Sequence, residues 1–128
     1  MHPARACMSM YSEALTLTRT QCQNMPTHRL IGFAKVLEGR LATLESTLAQ
    51  QVVEYNHFIY EFDVQDLNKL EMKDTPQSRY HSELIEAGKS TRNTISKVNS
   101  QLEVIRNSIA SRNGEYKKLM QKVTAFKQ

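Results

Sequence analysis

Few residues of this chain have the types and spacing that chemistry needs. Gly88-Lys89-Ser90 has the form of the end of a phosphate-binding loop, where glycines let backbone N–H groups wrap a phosphate and Lys supplies charge. The pattern needs an earlier glycine at position 83, which is Glu83, and a loop after a strand, whereas these residues fall inside a long helical repeat. Gly88 is better read as a small residue at a close helix crossing or as a local weak point. His57, Glu61, Asp63 and Asp66 form a second group whose nitrogen and carboxylate donors could hold a metal ion. Their spacing equally suits an ordinary i,i+4 pair on a solvated acidic face, which is the preferred reading.

Cys7 and Cys22 have no CxxC partner, and His2, His28, His57 and His81 are scattered singly. Neither a zinc cluster nor a disulfide framework is indicated, so the expectation is a reducing compartment, no metal and no cofactor. Hydrolytic triads and acid pairs need groups that converge in a pocket, and none is apparent. The chain is therefore read as a non-enzyme.

The most unusual local feature is aromatic. Tyr55, Phe58, Tyr60 and Phe62 fall within eight residues of one another in a chain with five Tyr and four Phe. Aromatics bury large areas and dominate many interfaces, so this group is either a wide core layer or a partner-binding patch. Tyr60 discriminates, because it stands off the repeat that the others follow.

The elements that must carry these residues are helices. With 40% hydrophobic residues, four Gly and three Pro in 128 residues, the composition suits long helices in a single domain. Asn24-Met25-Pro26-Thr27 and Asp74-Thr75-Pro76-Gln77 place capping side chains beside Pro and divide the chain into helices of roughly 4–24, 27–72 and 76–127. In the third, Leu84, Thr91, Val98, Ile105, Arg112, Leu119 and Phe126 stand at d of a heptad, and Gly88, Ile95, Leu102, Ile109, Tyr116 and Val123 stand at a. The phase passes through Arg112-Asn113-Gly114, so one helix is expected there, with a weak spot. In the second, Leu30, Leu37, Leu44, Gln51 and Phe58 occupy d, and Ala34, Leu41, Leu48, Tyr55 and Phe62 occupy a. Around Gln51 the apolar residues spread to Val52, Val53, Ile59 and Tyr60, so a third helix or another chain is expected over that wider face. Met8, Tyr11, Leu15, Cys22 and Met25 make the first segment a candidate for that helix.

Charge bears on the pairing. Residues 38–74 hold eight acids against three bases, and residues 75–128 hold ten bases against four acids. An acidic helix followed by a basic one favours a chain folded back on itself. The expected fold is all-α: an elongated antiparallel coiled-coil hairpin of two long helices with a shorter N-terminal helix.

No apolar run reaches membrane-span length, and no secretory signal is apparent, so the chain is expected to be cytoplasmic. Arg5, Arg19 and Arg29 against the single acid Glu13 resemble a mitochondrial transit peptide, but a short basic amphipathic helix is preferred. The expected function is a non-catalytic coiled-coil subunit that scaffolds or tethers within a larger multiprotein assembly. Its partners would be other helical subunits or a second copy, and the partner-binding set would be Tyr55, Phe58, Tyr60, Phe62, Ile95, Leu102, Ile105 and Ile109. Trafficking, cytoskeletal and chromosome-segregation complexes use subunits of this kind, an analogy of architecture only. One alternative is a small helical chaperone or adaptor for a secretion or export system. Another is a nucleic-acid or filament binder, invited by a pI near 9.2. It is disfavoured because Lys89, Arg92, Lys97, Arg106, Lys117, Lys118 and Lys122 are spread around the helix.

Overall fold

A computed structural model describes residues 3–61 and 74–127, with side chains described over 10–61 and 74–114 and at Lys118, Gln121 and Lys122. The four elements among the described residues are all helices: α1 (Pro3–Thr16), α2 (Arg19–Asn24), α3 (Thr27–Tyr60) and α4 (Pro76–Lys127). The two long helices pack antiparallel, with the short ones N-terminal to them. Cross-helix pairs record the direction, since Thr27 and Glu38 of α3 meet Arg112 and Arg106 of α4, while Tyr55 meets His81.

The single N-terminal helix expected over 4–24 is two helices. Leu17 and Thr18 interrupt it, because Thr18 is extended and starts α2 with a reciprocal capping box. Its hydroxyl accepts from the Gln21 N–H at 3.1 Å while the Gln21 side chain accepts from the Thr18 N–H at 2.9 Å. A side chain 84 residues away also stabilises the break. Gln101 donates to the carbonyls of Ala14 and Leu17, both at 2.8 Å, which satisfies groups the end of α1 would leave open.

Both proline sites start helices as expected. The Pro26 carbonyl accepts from Leu30 N–H at 3.2 Å, opening α3. At α4, Thr75 caps through its hydroxyl to Ser78 N–H at 3.1 Å, and Pro76, which has no N–H to lose, takes the first helical position. The second helix was expected to reach residue 72; α3 is described through Tyr60, and residues 62–73 lie outside the described residues. α4 runs unbroken through Gly114.

The heptad frame holds at every described seam position. On α3, Leu30, Ala34, Leu37 and Leu44 are buried, and Leu41, Leu48, Gln51, Tyr55 and Phe58 are half-buried. On α4, Thr91, Val98, Leu102 and Ile105 are buried, and Leu84, Gly88, Ile95, Ile109 and Arg112 are half-buried. The seam side chains of Tyr116, Leu119, Val123 and Phe126 lie outside the described residues. His81 extends the seam by one a position, and the Thr91 hydroxyl donates to the Ala87 carbonyl at 3.0 Å, so neither polar group is stranded.

The chain divides into two compact units. The first joins Met1–Arg40 to Lys97–Gln128, and the second is Leu41–Ser96. The first unit is a three-element layer in which Ala14, Leu17 and Cys22 of the N-terminal segment are buried together with Phe33 of α3, a residue off the heptad seam. Each large apolar side chain removed from water in this way contributes about 1.5–3 kcal/mol. The covering helices therefore lie in the first unit, where Leu30, Phe33, Ala34 and Leu37 make the stripe wide. Val52 and Val53 of the second unit, around which a third helix or another chain is expected, are exposed.

Candidate functional site

In the second unit the aromatic group divides. Tyr55 Oη and His81 Nε2 share a hydrogen bond of 3.2 Å, with their rings 5.5 Å apart. Phe58 meets Tyr80 edge-on at 5.2 Å and stacks on His81 at 5.9 Å. These two residues are thus a layer between α3 and α4, half-buried and already occupied. Tyr60 is different: it is 89% exposed. Phe62 lies outside the described residues.

Beside this layer is a cavity of about 360 Å³ lined by Leu48, Gln51, Val52, Tyr55, Leu84 and Gly88, with Lys89 and Arg92 at its basic edge. A Cβ built on Gly88 would meet nothing within 4 Å. That corrects the expectation of a close helix crossing at Gly88: the glycine leaves space, which the cavity uses. The buried Oε1 of Gln51 has no hydrogen-bond partner, although such an oxygen normally finds one. Val52 and Val53 are exposed on the same helix, Val53 by 66%.

No family model, curated protein or solved structure matches this chain.

The four residues expected to face a partner on α4 fall into two pairs. Leu102 and Ile105 are fully buried and belong to the internal core of the first unit, so their apolar area is already used and neither is a surface residue. Ile95 and Ile109 are half-buried. Gly88-Lys89-Ser90 lies within α4, where backbone N–H groups are committed to helical carbonyls and cannot wrap a phosphate. Lys89 instead pairs with Glu86 at 3.7 Å. His57 and Glu61 are both exposed; Asp63 and Asp66 lie outside the described residues. Among the described residues, no three His, Cys, Asp or Glu side chains gather as metal ligands, and no helix is long and apolar enough to cross a membrane.

Sequence reasoning missed the polar clip of the first unit. Arg112, marked only as an exception at d, sends Nη2 to the carbonyls of Cys22 at 2.6 Å and Gln23 at 3.0 Å, and Nη1 to the Thr27 hydroxyl at 3.1 Å. It thereby caps the end of α2, where carbonyls are open and a cation is favoured. Beside it a second cavity of about 480 Å³ is lined by Arg19, Gln23, Asn107, Ser108, Ser111 and Arg112. A signal for the clip existed, since an Arg on an apolar seam must find acceptors. The acceptors themselves are backbone groups that no residue type announces. Cys22 sits in the same region, and burial raises its thiol pKa, only partly offset by Arg112 and by a hydrogen bond from Ser108. At neutral pH it is a protonated, packed thiol with little nucleophilic character.

Proposed function

We propose that the protein is a non-catalytic helical subunit that docks an amphipathic helix of another protein onto its second unit, and so tethers that partner within a larger assembly. One observation carries the reading: the cavity beside Gly88 is open and apolar over Leu48, Val52 and Leu84. The first unit indicates the kind of occupant. There, a third segment packs Ala14, Leu17 and Cys22 onto the long helices and exchanges a side-chain-to-backbone hydrogen bond with Gln101. In the second unit an incoming helix with an apolar stripe would supply the same kind of packing over Leu48, Val52 and Leu84. Val53 and Tyr60 are exposed elsewhere on α3 and offer further apolar surface.

The experiment is to co-purify the tagged protein with its partner, then titrate the purified partner against wild type and against Gly88→Leu, whose side chain would fill the cavity from within. Expected is a loss of binding of about thirtyfold, the scale of an interface anchor of about 2 kcal/mol, with thermal melting not lowered. Undiminished binding by Gly88→Leu would remove the groove as the docking site. Tyr60→Ala should likewise leave melting unchanged while weakening capture.

A further inference from the structure

The first unit carries most of the positive charge. Residues 1–40 and 97–128 hold twelve bases against four acids, a net +8, whereas residues 41–96 hold nine acids against five bases, a net −4. Two of the four acids in the first unit are already engaged, Glu13 with Arg29 at 3.6 Å and Glu38 with Arg106 at 2.9 Å. Arg19 and Arg112 line one cavity together, with no carboxylate among its lining residues. Two guanidinium groups facing one cavity repel each other unless an anion or water separates them.

The remaining lining groups share one chemistry. Gln23 and Asn107 offer amide donors, Ser111 offers a hydroxyl, the Ser108 hydroxyl is engaged with the Cys22 thiol, and Val104 is the single apolar residue. Arg112 cannot swing away, since three hydrogen bonds hold it to Cys22, Gln23 and Thr27. A guanidinium carries five N–H donors, so those bonds leave two, Nε–H and one on Nη1, which point in different directions, and one of them at a time can serve a ligand. Arg19 opens α2, is exposed, and makes no ion pair or hydrogen bond with another described residue. One charge is therefore pinned and the other is free to close.

We propose that this cleft between α2 and α4 binds a dianionic phosphate group, either free or esterified to a single carbon. A tetrahedral dianion suits one fixed guanidinium N–H from Arg112, the second guanidinium of Arg19 and the hydroxyl or amide donors between them. A nucleic-acid backbone fits less well, because its phosphates are monoanionic diesters arrayed along a strand, whereas here two arginines converge on one cleft. The site stands apart from the docking groove, being built wholly from residues of the first unit.

The test is a titration of the isotope-labelled full chain with inorganic phosphate, followed by amide NMR shifts at constant ionic strength, with chloride as the charge control. Expected are saturable shifts at Arg19, Gln23, Asn107, Ser108 and Ser111, weaker at pH 5 than at pH 7.5, because inorganic phosphate is a monoanion at pH 5 and loses its second proton near neutral pH. Arg19→Gln, which removes an exposed side chain without a structural bond, should weaken binding about tenfold with unchanged melting, and Arg19→Lys should restore only part of it. O-phosphoserine and dimethyl phosphate complete the series. Tighter binding of O-phosphoserine than of inorganic phosphate would mark an esterified ligand, and the reverse would mark the free ion. Shifts that do not saturate, that chloride or dimethyl phosphate reproduces, or that Arg19→Gln leaves intact would overturn the proposal.

Discussion

Residues 41–96 bury one apolar side chain, Leu44, while the unit formed by residues 1–40 and 97–128 buries ten among its described residues. The heptad pattern runs through both, although the former carries Gln51, Gly88 and Thr91 on its seam. What also differs, among the described residues, is the number of layers. Two helices alone leave the flanks of an a/d seam open to water, so even well-placed side chains reach only half-burial. A third segment closes one flank, and Leu30, Leu37, Val98, Leu102 and Ile105 become fully buried. Burial here is set by what covers the repeat more than by the repeat itself.

The comparison is broken or sharpened most severely by a charge in each seam. Leu102→Asp should cost several kcal/mol and unfold the first unit, because a carboxylate there has no partner and no route to water. Leu84→Asp, at a half-buried seam position of the second unit, should cost far less, since its carboxylate can reach solvent. Urea unfolding followed by circular dichroism measures both, and equal destabilisation would refute the distinction between the units.

Arg112→Met tests the polar clip with a smaller effect. Losing the guanidinium leaves the Cys22 and Gln23 carbonyls without it, a loss of about 1–3 kcal/mol. Hydrogen exchange should quicken in α2 and leave residues 44–58 unchanged. Uniform acceleration through both units would mean that they do not respond separately.

The smallest expected effect is a gain. Gly88→Ala meets nothing within 4 Å and replaces the poorest ordinary helix former, so stability of the second unit should rise by up to about 1 kcal/mol. Lowered melting would show that the space beside Gly88 is not open.

These contrasts also mark what the sequence made legible. The spacing of Leu30 through Phe58 and of Leu84 through Ile109 was enough for the two long helices and their seam, because burial on a helix follows a period that residue types reveal. Thr75 and Pro76 were enough for the start of α4. The break at Leu17 and Thr18 was not legible, because Thr-x-x-Gln became a capping box only where Gln101 could reach the carbonyls of Ala14 and Leu17. Which stretch the N-terminal segment covers was not legible for a related reason. Both Leu30–Leu37 and Val52–Tyr60 are broad apolar stretches, and nothing local says which of them a distant segment will cover. Net charge was a weak guide to pairing: among the described residues, Glu38 with Arg106 is the single ion pair between α3 and α4, and it is exposed. The candidate sites were the least legible part, since one depends on the space left by a glycine and the other on an arginine held by backbone oxygens.

The bond from Arg112 to the Cys22 carbonyl joins groups 90 residues apart. Protein synthesis runs from the N-terminus, so α1, α2 and the start of α3 leave the ribosome long before the residues that complete their core. Through that interval Ala14, Leu17, Cys22, Leu30 and Phe33 have no Val98, Leu102 or Ile105 to meet, and the nascent chain presents them as a bare apolar face. Residues 41–96, whose pairing closes across far shorter loops, can zip first and bring the two ends together. The more stable part of the molecule is then the last to form, and a chain stalled before residue 97 would be an aggregation-prone species that needs chaperone cover.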